Sequence, residues 1–487
     1  MTRKHENLLF LTGKLAEKRL HRILESMQPL EFSYEVRNIG ISVAALMTAR
    51  MIARRLSDYE KFDRILVPGL CGGDLEALSG TLKIQVQRGP VDLKDLPAFF
   101  GREGKPFDLT DYRVNIFAEI VDAPLIPVEE IIQRAVAYRD DGADVIDIGC
   151  LPDTPFPHLE EAVRALAENG FRVSVDSLDE DELLRGGKSG ADYLLSLKES
   201  TLWLADEVAS VPVLIPESHT DMDSLFRIID RFSRSGRPFI ADSILDPVHF
   251  GFTASILRYS QLRSACPDIR IMMGTGNMTE LTEADTTGIN AVLFGIISEM
   301  DITDVLTTQV SPHACTVVRE SDRARRIMHA AKQDQCLPKD VDNGLLTTHS
   351  RDPFPYSQEE IEELAGEVRD PSYRIQISKE GINVYNREGI TIAASPFDLY
   401  EKLELIHEDA PHAFYMGVEL ARAEIASQLG KRYYQDELLD WGVVSPVGKD
   451  EDRRSAKNIA HTLRDTKDSE YKEAGATMKS GKKRRKR

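Results

Sequence analysis

The sequence predicts an α/β protein whose centre is a closed (β/α)₈ barrel. Between residue 112 and about residue 336, a unit made of a short apolar run, a polar turn and an amphipathic stretch repeats eight times. Most of the runs are rich in Val, Ile, Leu and Phe, as is typical of parallel strands covered on both faces. Eight such units in this length favour a barrel, whose functional side chains lie at the carboxyl ends of its strands.

The segments on either side of the barrel predict two smaller domains. Residues 1–108 alternate apolar runs with helical stretches, which predicts a small Rossmann-like α/β domain with an open parallel sheet. Residues 109–340 form the barrel, and residues 341–370 form a connector that contains a helix. Residues 371–446 predict a small α+β domain, with a three-stranded meander followed by two helices. Residues 447–487 are charged, contain few large apolar residues and are expected to be a disordered tail.

Charge and composition argue against several classes of protein. The 487 residues carry a net charge of −19, although seven cations lie in the last nine residues. An acidic body disfavours nucleic acid as the principal partner, because neutralising phosphates requires a basic surface. No apolar run is long enough to predict a membrane span, and the N-terminal segment lacks the pattern of a signal peptide. The five cysteines show no metal-binding spacing, so a cytoplasmic protein without structural zinc is predicted.

Two glycine-bearing turns follow predicted strands in the N-terminal domain. They lie at residues 12–14 and 69–74. Glycine after a strand lets the backbone approach an anion at the start of a helix. Neither turn matches the Walker A or GxGxxG pattern, so a plain tight turn is the favoured interpretation and phosphate binding is the alternative.

The predicted strand ends of the barrel carry carboxylates and amides but few cations. In chain order they are Asn115, Asp147, Asp176, Lys198, Glu217, Asp242 with Asp246, and a loop that ends at Asn277. This set suits an electron-poor, donor-rich heterocycle better than a bare phosphate. A structural role is the alternative for each aspartate. Asp246 precedes a proline and could start a turn, whereas the residues after Asp176 could already cap the next helix.

Three motifs on successive predicted strands resemble the pterin-binding barrel of dihydropteroate synthases and of corrinoid-dependent, folate-linked methyltransferases. They are GADVIDIG, which ends at Gly149, VSVDS around Asp176, and GADYLLS, which ends at Ser196. The resemblance covers roughly residues 113–295. With a domain before the barrel and another after it, the layout is similar to dihydropteroate synthase-related proteins of archaea and methylotrophic bacteria, which are associated with tetrahydromethanopterin-type cofactors.

The resemblance implies a site for the amino-lactam edge of a pterin. By motif, Asp176 and Asp246 would accept its hydrogen bonds, since one carboxylate can accept an amino group and a neighbouring ring N–H together. Asp147 would support the site. Ser196 stands near the place where the synthases present an asparagine, and Asn277 in the GTGN segment matches the asparagine with which folate-binding methyltransferases contact the pterin.

The resemblance also implies a place for a diphosphate. Asn115 falls where the synthases have an asparagine that helps to hold the diphosphate and Mg²⁺, which makes Mg²⁺ the candidate cofactor. The loop after the second barrel strand lacks the arginine of the synthases, and the seventh strand lacks their Ser-x-Arg-Lys ending. Lys198 is a candidate replacement cation, with an ordinary surface lysine as the alternative.

The function implied is a transferase that joins a dihydropterin-methyl diphosphate to an arylamine, such as a ribofuranosylaminobenzene phosphate, in tetrahydromethanopterin-type cofactor biosynthesis. Its partners would be the pterin and the arylamine, and a homodimer is expected only by analogy with such barrels. Two alternatives stay open: a non-catalytic pterin-binding or carrier protein of C1 metabolism, and a pterin-dependent methyltransferase subunit. The latter would need a partner to supply the corrinoid, because the chain lacks the DxHxxG cobalamin motif.

Overall fold

Three sheets follow one another along the chain. The computed structural model describes residues 6–90, 93–102, 107–400, 402–403 and 410–445. Within these residues a four-stranded parallel sheet precedes a closed eight-stranded barrel, and a three-stranded antiparallel sheet follows. The predicted α/β class and the central barrel are confirmed. The domain boundaries stay predictions, and the predicted disordered tail lies outside the described residues.

The N-terminal sheet is parallel and has the strand order β2-β1-β3-β4. Its elements are β1 (Glu6–Thr12), α1 (Lys14–Ser26), β2 (Phe32–Asn38), α2 (Ala49–Arg55), β3 (Arg64–Val67), α3 (Leu75–Leu82), β4 (Gln85–Arg88) and α4 (Leu96–Phe99). Successive residues of β1 point to opposite faces. Leu9 and Leu11 pack into one apolar cluster with Ile52, whereas Leu8 and Phe10 pack into another. Both faces of the sheet are therefore covered.

The barrel consists of strands β5–β12 with helices around them. Its elements are β5 (Asn115–Ile120), α5 (Val128–Asp140), β6 (Val145–Gly149), α6 (Leu159–Glu168), β7 (Val173–Asp176), α7 (Glu180–Lys188), β8 (Tyr193–Leu197), α8 (Leu204–Glu207), β9 (Val211–Leu214), α9 (Met222–Ser235), β10 (Ile240–Ala241), α10 (Phe252–Ala265), β11 (Arg270–Gly274), α11 (Gly276–Thr279), α12 (Thr286–Glu299), β12 (Asp304–Thr308) and α13 (Val317–Gln333). The barrel closes where β12 pairs with β5, from Asp304 opposite Asn115 to Thr308 opposite Glu119.

The third sheet has helices on both sides. Its elements are α14 (Gln358–Glu367), β13 (Arg374–Ser378), β14 (Gly381–Asn386), β15 (Gly389–Ala393), α15 (Pro396–Tyr400) and α16 (Ala410–Leu429). Helix α16 packs Met416 and Leu420 against Ile375. Helix α14, predicted within the connector, packs Ile361 against Tyr385. The helix of the connector thus contributes to the core of the third sheet.

Five short 3₁₀ turns complete the secondary structure of the described residues: Ala44–Leu46, Leu93–Asp95, Ala123–Leu125, Pro312–Ala314 and Gly442–Val444. None of the helices in this part of the chain combines the length and the apolar character that crossing a lipid bilayer requires.

A buried arginine ties the last barrel helix to the start of the barrel. The side chain of Arg325 in α13 is only 1% exposed and pairs with Asp144 and Asp322. It also donates to the Val114 carbonyl at 2.5 Å and lies 3.6 Å from the centre of the Tyr112 ring. Val114 directly precedes β5 and Asp144 directly precedes β6. Arg325 therefore links the last barrel helix to the first two barrel strands.

Replacing Arg325 should destabilise the barrel strongly. Arg325→Met removes the charged partner of the Asp144 carboxylate, which keeps the Tyr112 hydroxyl and the Ile116 amide as donors, and it removes a donor to the Val114 carbonyl. This should cost about 3–5 kcal/mol of unfolding free energy. The matched control is Arg323→Met, because Arg323 is more exposed and lies 3.6 Å from its partner Asp342. That change should cost less than about 1 kcal/mol. Urea denaturation measures both, and equal costs would contradict the proposed role.

Candidate functional site

Three carboxylates come together at the carboxyl ends of neighbouring barrel strands. Glu119 lies in β5, Asp147 in β6 and Asp176 at the end of β7. The strand register places Glu119 opposite Asp147, and Asp176 opposite Gly149. One carboxylate oxygen of each residue lies within 4.8 Å of those of the other two. Asp147 is fully buried, and the other two are partly buried. We call Glu119, Asp147 and Asp176 the carboxylate cluster.

The cluster lacks enough donors for its oxygens. The Ser174 hydroxyl donates to Oδ1 of Asp147, and the Ser196 hydroxyl donates to Oδ1 of Asp176 at 3.0 Å. Oδ2 of Asp147 is buried and has no hydrogen-bond partner among the described residues. Since an unsatisfied buried oxygen is costly, a proton, a cation or a ligand N–H is needed beside it.

A glycine makes room for the cluster. A methyl group placed on Gly149 would lie 2.6 Å from Oε1 of Glu119 and 3.1 Å from the Cα of Val121. That separation is shorter than non-bonded atoms tolerate, so any larger residue would displace the Glu119 carboxylate. The glycine of the VIDIG run therefore allows the first and second strands to bring their carboxylates together.

The backbone next to the cluster is strained. Ser196 adopts a left-handed conformation with φ of 70°, and the pairing of β8 with β9 shifts register between Leu194 and Leu197. Ile244, in the loop after β10, also has a positive φ of 64°. Such conformations are rare for non-glycine residues and concentrate at functional sites. The irregularity in β8 coincides with the residue that donates to Asp176.

Asp242 adds a fourth carboxylate to this region. It follows β10 directly, and its Oδ1 accepts hydrogen bonds from the Tyr259 hydroxyl and the Ile244 amide. Burial raises the pKa of Asp242 to about 6, although these two hydrogen bonds oppose the rise, and the charge of Asp176 adds to it. The influence of Asp176 places Asp242 in the same electrostatic environment as the cluster.

Burial raises the pKa of every member of the cluster. It raises the pKa of Glu119 to about 7, with the negative charge of Asp176 as a second cause. The pKa of Asp147 lies well above its usual range because of burial, and the charges of Asp176 and Glu119 add to this. The pKa of Asp176 is raised by burial and lowered in part by the Ser196 hydrogen bond. The cluster therefore favours protons, a cation or hydrogen-bond donors near neutral pH.

The cluster fits a divalent cation as well as a donor-rich ligand. Mg²⁺ prefers carboxylate oxygens, and one oxygen of each cluster member could contribute to its coordination shell. The unpartnered Oδ2 of Asp147 would gain a partner in this way. Glu119, Asp147 and Asp176 are therefore the residues that would hold the predicted Mg²⁺, and its presence stays a prediction.

Asn115 is not at the mouth of the barrel, so the prediction that it lies near the end of the first strand is wrong. Strand β5 begins at Asn115, which places it at the opposite, amino-terminal end. Its Nδ2 donates to Oδ1 of the fully buried Asp304 at 3.0 Å. Arg270 donates to the same carboxylate at 2.6 and 3.1 Å. Asn115 thus belongs to a structural network far along the strand from the predicted diphosphate site.

Glu119 was missed by sequence reasoning although the signal was present. Side chains alternate along a strand, so Asn115, Phe117 and Glu119 face the same side. Phe117 packs inside the barrel, where its ring contacts that of Tyr193. Glu119, the polar residue nearest the carboxyl end of the run, is therefore the member of this face that reaches the mouth.

Asp246 is held by an arginine rather than left open. Its Oδ2 accepts from Nη2 of Arg258 at 2.8 Å, and both side chains are largely buried. Arg258 also donates to the carbonyls of Ser243 and Ile244, so it organises the whole loop after β10. A pterin contact through Asp246 stays a prediction and would share the carboxylate with Arg258.

Asn277 and Lys198 both lie beyond the carboxyl ends of barrel strands, Asn277 in a short helix and Lys198 in a loop. Asn277 is in the first turn of α11, and its Nδ2 donates to the Leu245 carbonyl at 2.6 Å. Its Oδ1 remains as an acceptor for a ligand N–H. Lys198 follows β8, and its ammonium forms no ion pair with the residues that the structure describes. Their proposed roles toward a ligand stay predictions.

A cavity of about 610 Å³ lies between the loops that follow β6 and β7. It is adjacent to the cluster, since the amide of Cys150 in its wall donates to the carbonyl of Asp176 at 2.9 Å. Burial and the charge of Glu182 raise the pKa of the Cys150 thiol, which disfavours a thiolate nucleophile. Arg185 also lines the cavity, but Glu160 binds it through two hydrogen bonds of 2.7 Å.

Comparisons with sequences match proteins without an assigned activity. Residues 6–91 match the model of DUF6513, a family of unknown function. An uncharacterized protein of Methanocaldococcus jannaschii is 26% identical over 524 residues, which cover 88% of this chain and 98% of that protein. The similarity to this relative thus spans the three sheets, whereas the family match is confined to the N-terminal one.

Comparisons with solved structures find dihydropteroate synthases. The Yersinia pestis enzyme with a sulfonamide drug is 17% identical, with a TM-score of 0.36, covering 46% of this chain and 96% of that chain. The Xanthomonas albilineans enzyme in complex with 7,8-dihydropteroate is 15% identical, with a TM-score of 0.35, covering 46% and 94%. The matched share is less than half of this chain, and these values describe a likeness of fold only.

Removing the Glu119 charge should change the pH dependence of stability. The pKa of the Glu119 carboxyl is about 7 in the folded protein and near its usual value of 4.5 in the unfolded chain. Between these two pH values the folded protein keeps a proton that the unfolded chain has released. Stability should therefore fall as pH rises through this window. Glu119→Gln should match the unsubstituted protein at pH 4 and be more stable by roughly 1–3 kcal/mol above pH 7.

The control for this change is Glu129→Gln, at an exposed position in helix α5. Its free energy of unfolding should follow that of the unsubstituted protein at every pH. Chemical denaturation between pH 4 and pH 8 measures all three proteins. Parallel curves for Glu119→Gln and the unsubstituted protein would show that the Glu119 carboxylate titrates normally.

Proposed function

We propose that the barrel mouth binds the amino-lactam edge of a dihydropterin and transfers the pterin-methyl group from its diphosphate to an arylamine. The observation that carries this proposal is the buried carboxylate cluster, with its unpartnered oxygen and raised pKa values. Its oxygens require N–H donors or positive charge. A pterin edge presents an amino group and a ring N–H side by side, which one carboxylate can accept together.

Asp176 is the primary acceptor in this proposal. Its side chain is partly open to the mouth, whereas Asp147 is fully buried. The Ser196 hydroxyl donates to Oδ1 of Asp176 and fixes the carboxylate, whose two oxygens keep lone pairs for the two N–H groups of a pterin edge. Asp147 supports Asp176 from the neighbouring strand, and Asp242, oriented by Tyr259, provides acidic surroundings on another side.

The proposed reaction exchanges one bond at the pterin methylene carbon. The carbon–oxygen bond to the diphosphate breaks, and its electron pair leaves with the diphosphate. The arylamine nitrogen forms the new carbon–nitrogen bond and then loses a proton. Positive charge develops on the pterin as the diphosphate departs, and the carboxylates of Asp176 and Asp242 would stabilise it electrostatically. Because the pterin edge would occupy the Asp176 carboxylate, a Mg²⁺ ion would be carried by the diphosphate itself and would neutralise its charge.

The nature of the arylamine follows from what the loops lack. The loop after β6, at residues 150–157, contains no arginine, and β11 is followed by Thr275, Gly276 and Asn277, with no arginine or lysine. An amine without a benzoate carboxylate needs no such cations. A ribofuranosylaminobenzene phosphate fits this description, which extends the proposal to tetrahydromethanopterin-type cofactor biosynthesis.

A pterin carrier without catalytic activity is the second candidate. It is favoured by the pairing of Arg185 with Glu160, because this cation is already neutralised and offers little to a diphosphate. The GTGN segment that ends at Asn277 is the one feature that favours the third candidate, a pterin-dependent methyltransferase subunit.

Binding of a pterin should depend on Asp176 and not on Asn115. Asp176→Asn replaces an acceptor oxygen with an NH₂ donor, so affinity for 6-hydroxymethyl-dihydropterin should fall by about 100-fold or more. Ser196→Ala removes one orienting hydrogen bond and should weaken binding by about 5- to 10-fold. Asn115→Ala, at the opposite end of the same barrel, should leave affinity unchanged. Isothermal calorimetry measures all four proteins, and equal affinities for Asp176→Asn and the unsubstituted protein would reject the site.

Turnover separates the transferase from the carrier. The unsubstituted protein, supplied with dihydropterin-methyl diphosphate, the ribosylated arylamine and Mg²⁺, should release diphosphate and form the coupled pterin. The Asp176→Asn protein provides the matched control. Pterin binding without diphosphate release would reject the transferase and leave the carrier, and absence of binding would reject both.

A further inference from the structure

A second cavity lies in the N-terminal domain, well away in sequence from the carboxylate cluster. Its volume is about 540 Å³, within the range of roughly 300–1,000 Å³ typical of ligand pockets. Thr12 at the end of β1, Val67 at the end of β3 and Gly89 just after β4 line one side. Residues that follow the last barrel helix also line the cavity, namely Gln335, Cys336, Leu337, Lys339 and Asp340.

The cavity occupies the position where open parallel sheets bind ligands. The strand order β2-β1-β3-β4 means that the chain leaves β1 toward one edge of the sheet and leaves β3 toward the other. The connections therefore diverge between the carboxyl ends of β1 and β3. In open α/β sheets, ligands bind in the crevice at this topological switch point.

The turn that begins helix α1 is not available to a phosphate. The amides of Lys14 and Leu15 donate to the carbonyls of Ile41 and Ser42 at 2.8 and 3.1 Å. A Cβ on Gly13 would lie 2.7 Å from a backbone nitrogen of the same neighbouring segment, so this glycine permits the close contact. Because its first amides are engaged, the helix cannot cradle a phosphate through them, and the tight-turn interpretation from the sequence is favoured.

The described lining of the cavity is mainly apolar. Leu20, Leu66 and Leu96 are nearly completely buried, whereas Leu15 and Leu337 are 67% and 71% exposed. The apolar surface thus continues from the interior of the domain to the open rim. A ligand with an extended apolar body could follow this surface and remove the exposed leucines from water.

The charges at the rim favour an acidic group on such a ligand. Arg19 and Lys339 both line the cavity. Asp340 lines the cavity as well and forms an ion pair with Arg351.

We propose that this cavity binds a small amphipathic acid, with its apolar body between β1, β3 and α1 and its carboxylate at the rim beside Lys339. The site is formed jointly by the N-terminal sheet and the segment after α13. It takes a ligand of a different chemical class from the pterin. The inference therefore stands independently of the function proposed for the barrel.

Decanoate and decanol are the probes that test this site, with inorganic phosphate as a third. Decanoate should displace anilinonaphthalene sulfonate from the full chain at about one tenth of the concentration that decanol requires, because only decanoate supplies a negative charge for the rim. Inorganic phosphate should displace nothing. Lys339→Glu should abolish the advantage of decanoate, whereas Lys379→Glu, at an exposed turn of the third sheet, should preserve it.

Filling the cavity provides a second, independent variant. Ala16→Trp places a large side chain in the cavity wall and should weaken both decanoate and decanol by tenfold or more. Ala137→Trp, on the exposed face of α5, is the matched control and should bind like the unsubstituted protein. Pterin binding should be unaffected in either variant.

Three results would overturn the assignment. Equal affinities of decanoate and decanol would show that the cavity does not recognise an acidic group. Displacement of the dye by inorganic phosphate would indicate a simple anion site instead. Unchanged binding in Ala16→Trp would place the probe elsewhere. A dimer that Ala16→Trp dissociates in sedimentation, without any binding of the probes, would show that the leucine-lined rim is an interface between copies of the chain.

Discussion

The candidate site depends on the cost of burying acidic side chains next to one another. Glu119, Asp147 and Asp176 lie on adjacent strands, and Asp147 retains an oxygen without a partner in the described structure. Burial raises all three pKa values, and the charge of Asp176 adds to the rise in Glu119 and Asp147, so these side chains hold their negative charge poorly. A ligand edge that donates hydrogen bonds, or a cation, would supply the partners that these carboxylates lack. We infer that the cluster exists to bind such a group.

The barrel supports this arrangement at some cost elsewhere. Gly149 gives up its side chain to make space for Glu119, and Ser196 adopts a left-handed conformation at an irregularity of β8. Around Asp246, Arg258 uses several donors to hold one loop. At the other end of the barrel, Asp304 is fully paired. The contrast between the paired Asp304 carboxylate and the unpartnered Oδ2 of Asp147 agrees with the location of functional groups at the carboxyl ends of strands in (β/α)₈ barrels.

Sequence reasoning predicted the barrel because periodic apolar runs report burial directly. It also brought Asp147, Asp176 and Ser196 to one place, since each stands at the end of a recognisable run. It misplaced Asn115 because the start and end of a short apolar run look alike in composition, and so overlooked Glu119. The ion pair of Asp246 with Arg258 could not be predicted, because it depends on how a loop folds back on the following helix.

The exchange of protons on ligand binding tests this account most directly. Calorimetry of dihydropterin binding near pH 6.5, repeated in buffers of different ionisation enthalpy, measures the number of protons released. If N–H donors stabilise the ionised cluster, binding should release about one proton, and the release should disappear in Asp176→Asn. Binding without proton release, or with proton uptake, would contradict the claim that the ligand replaces protons on these carboxylates.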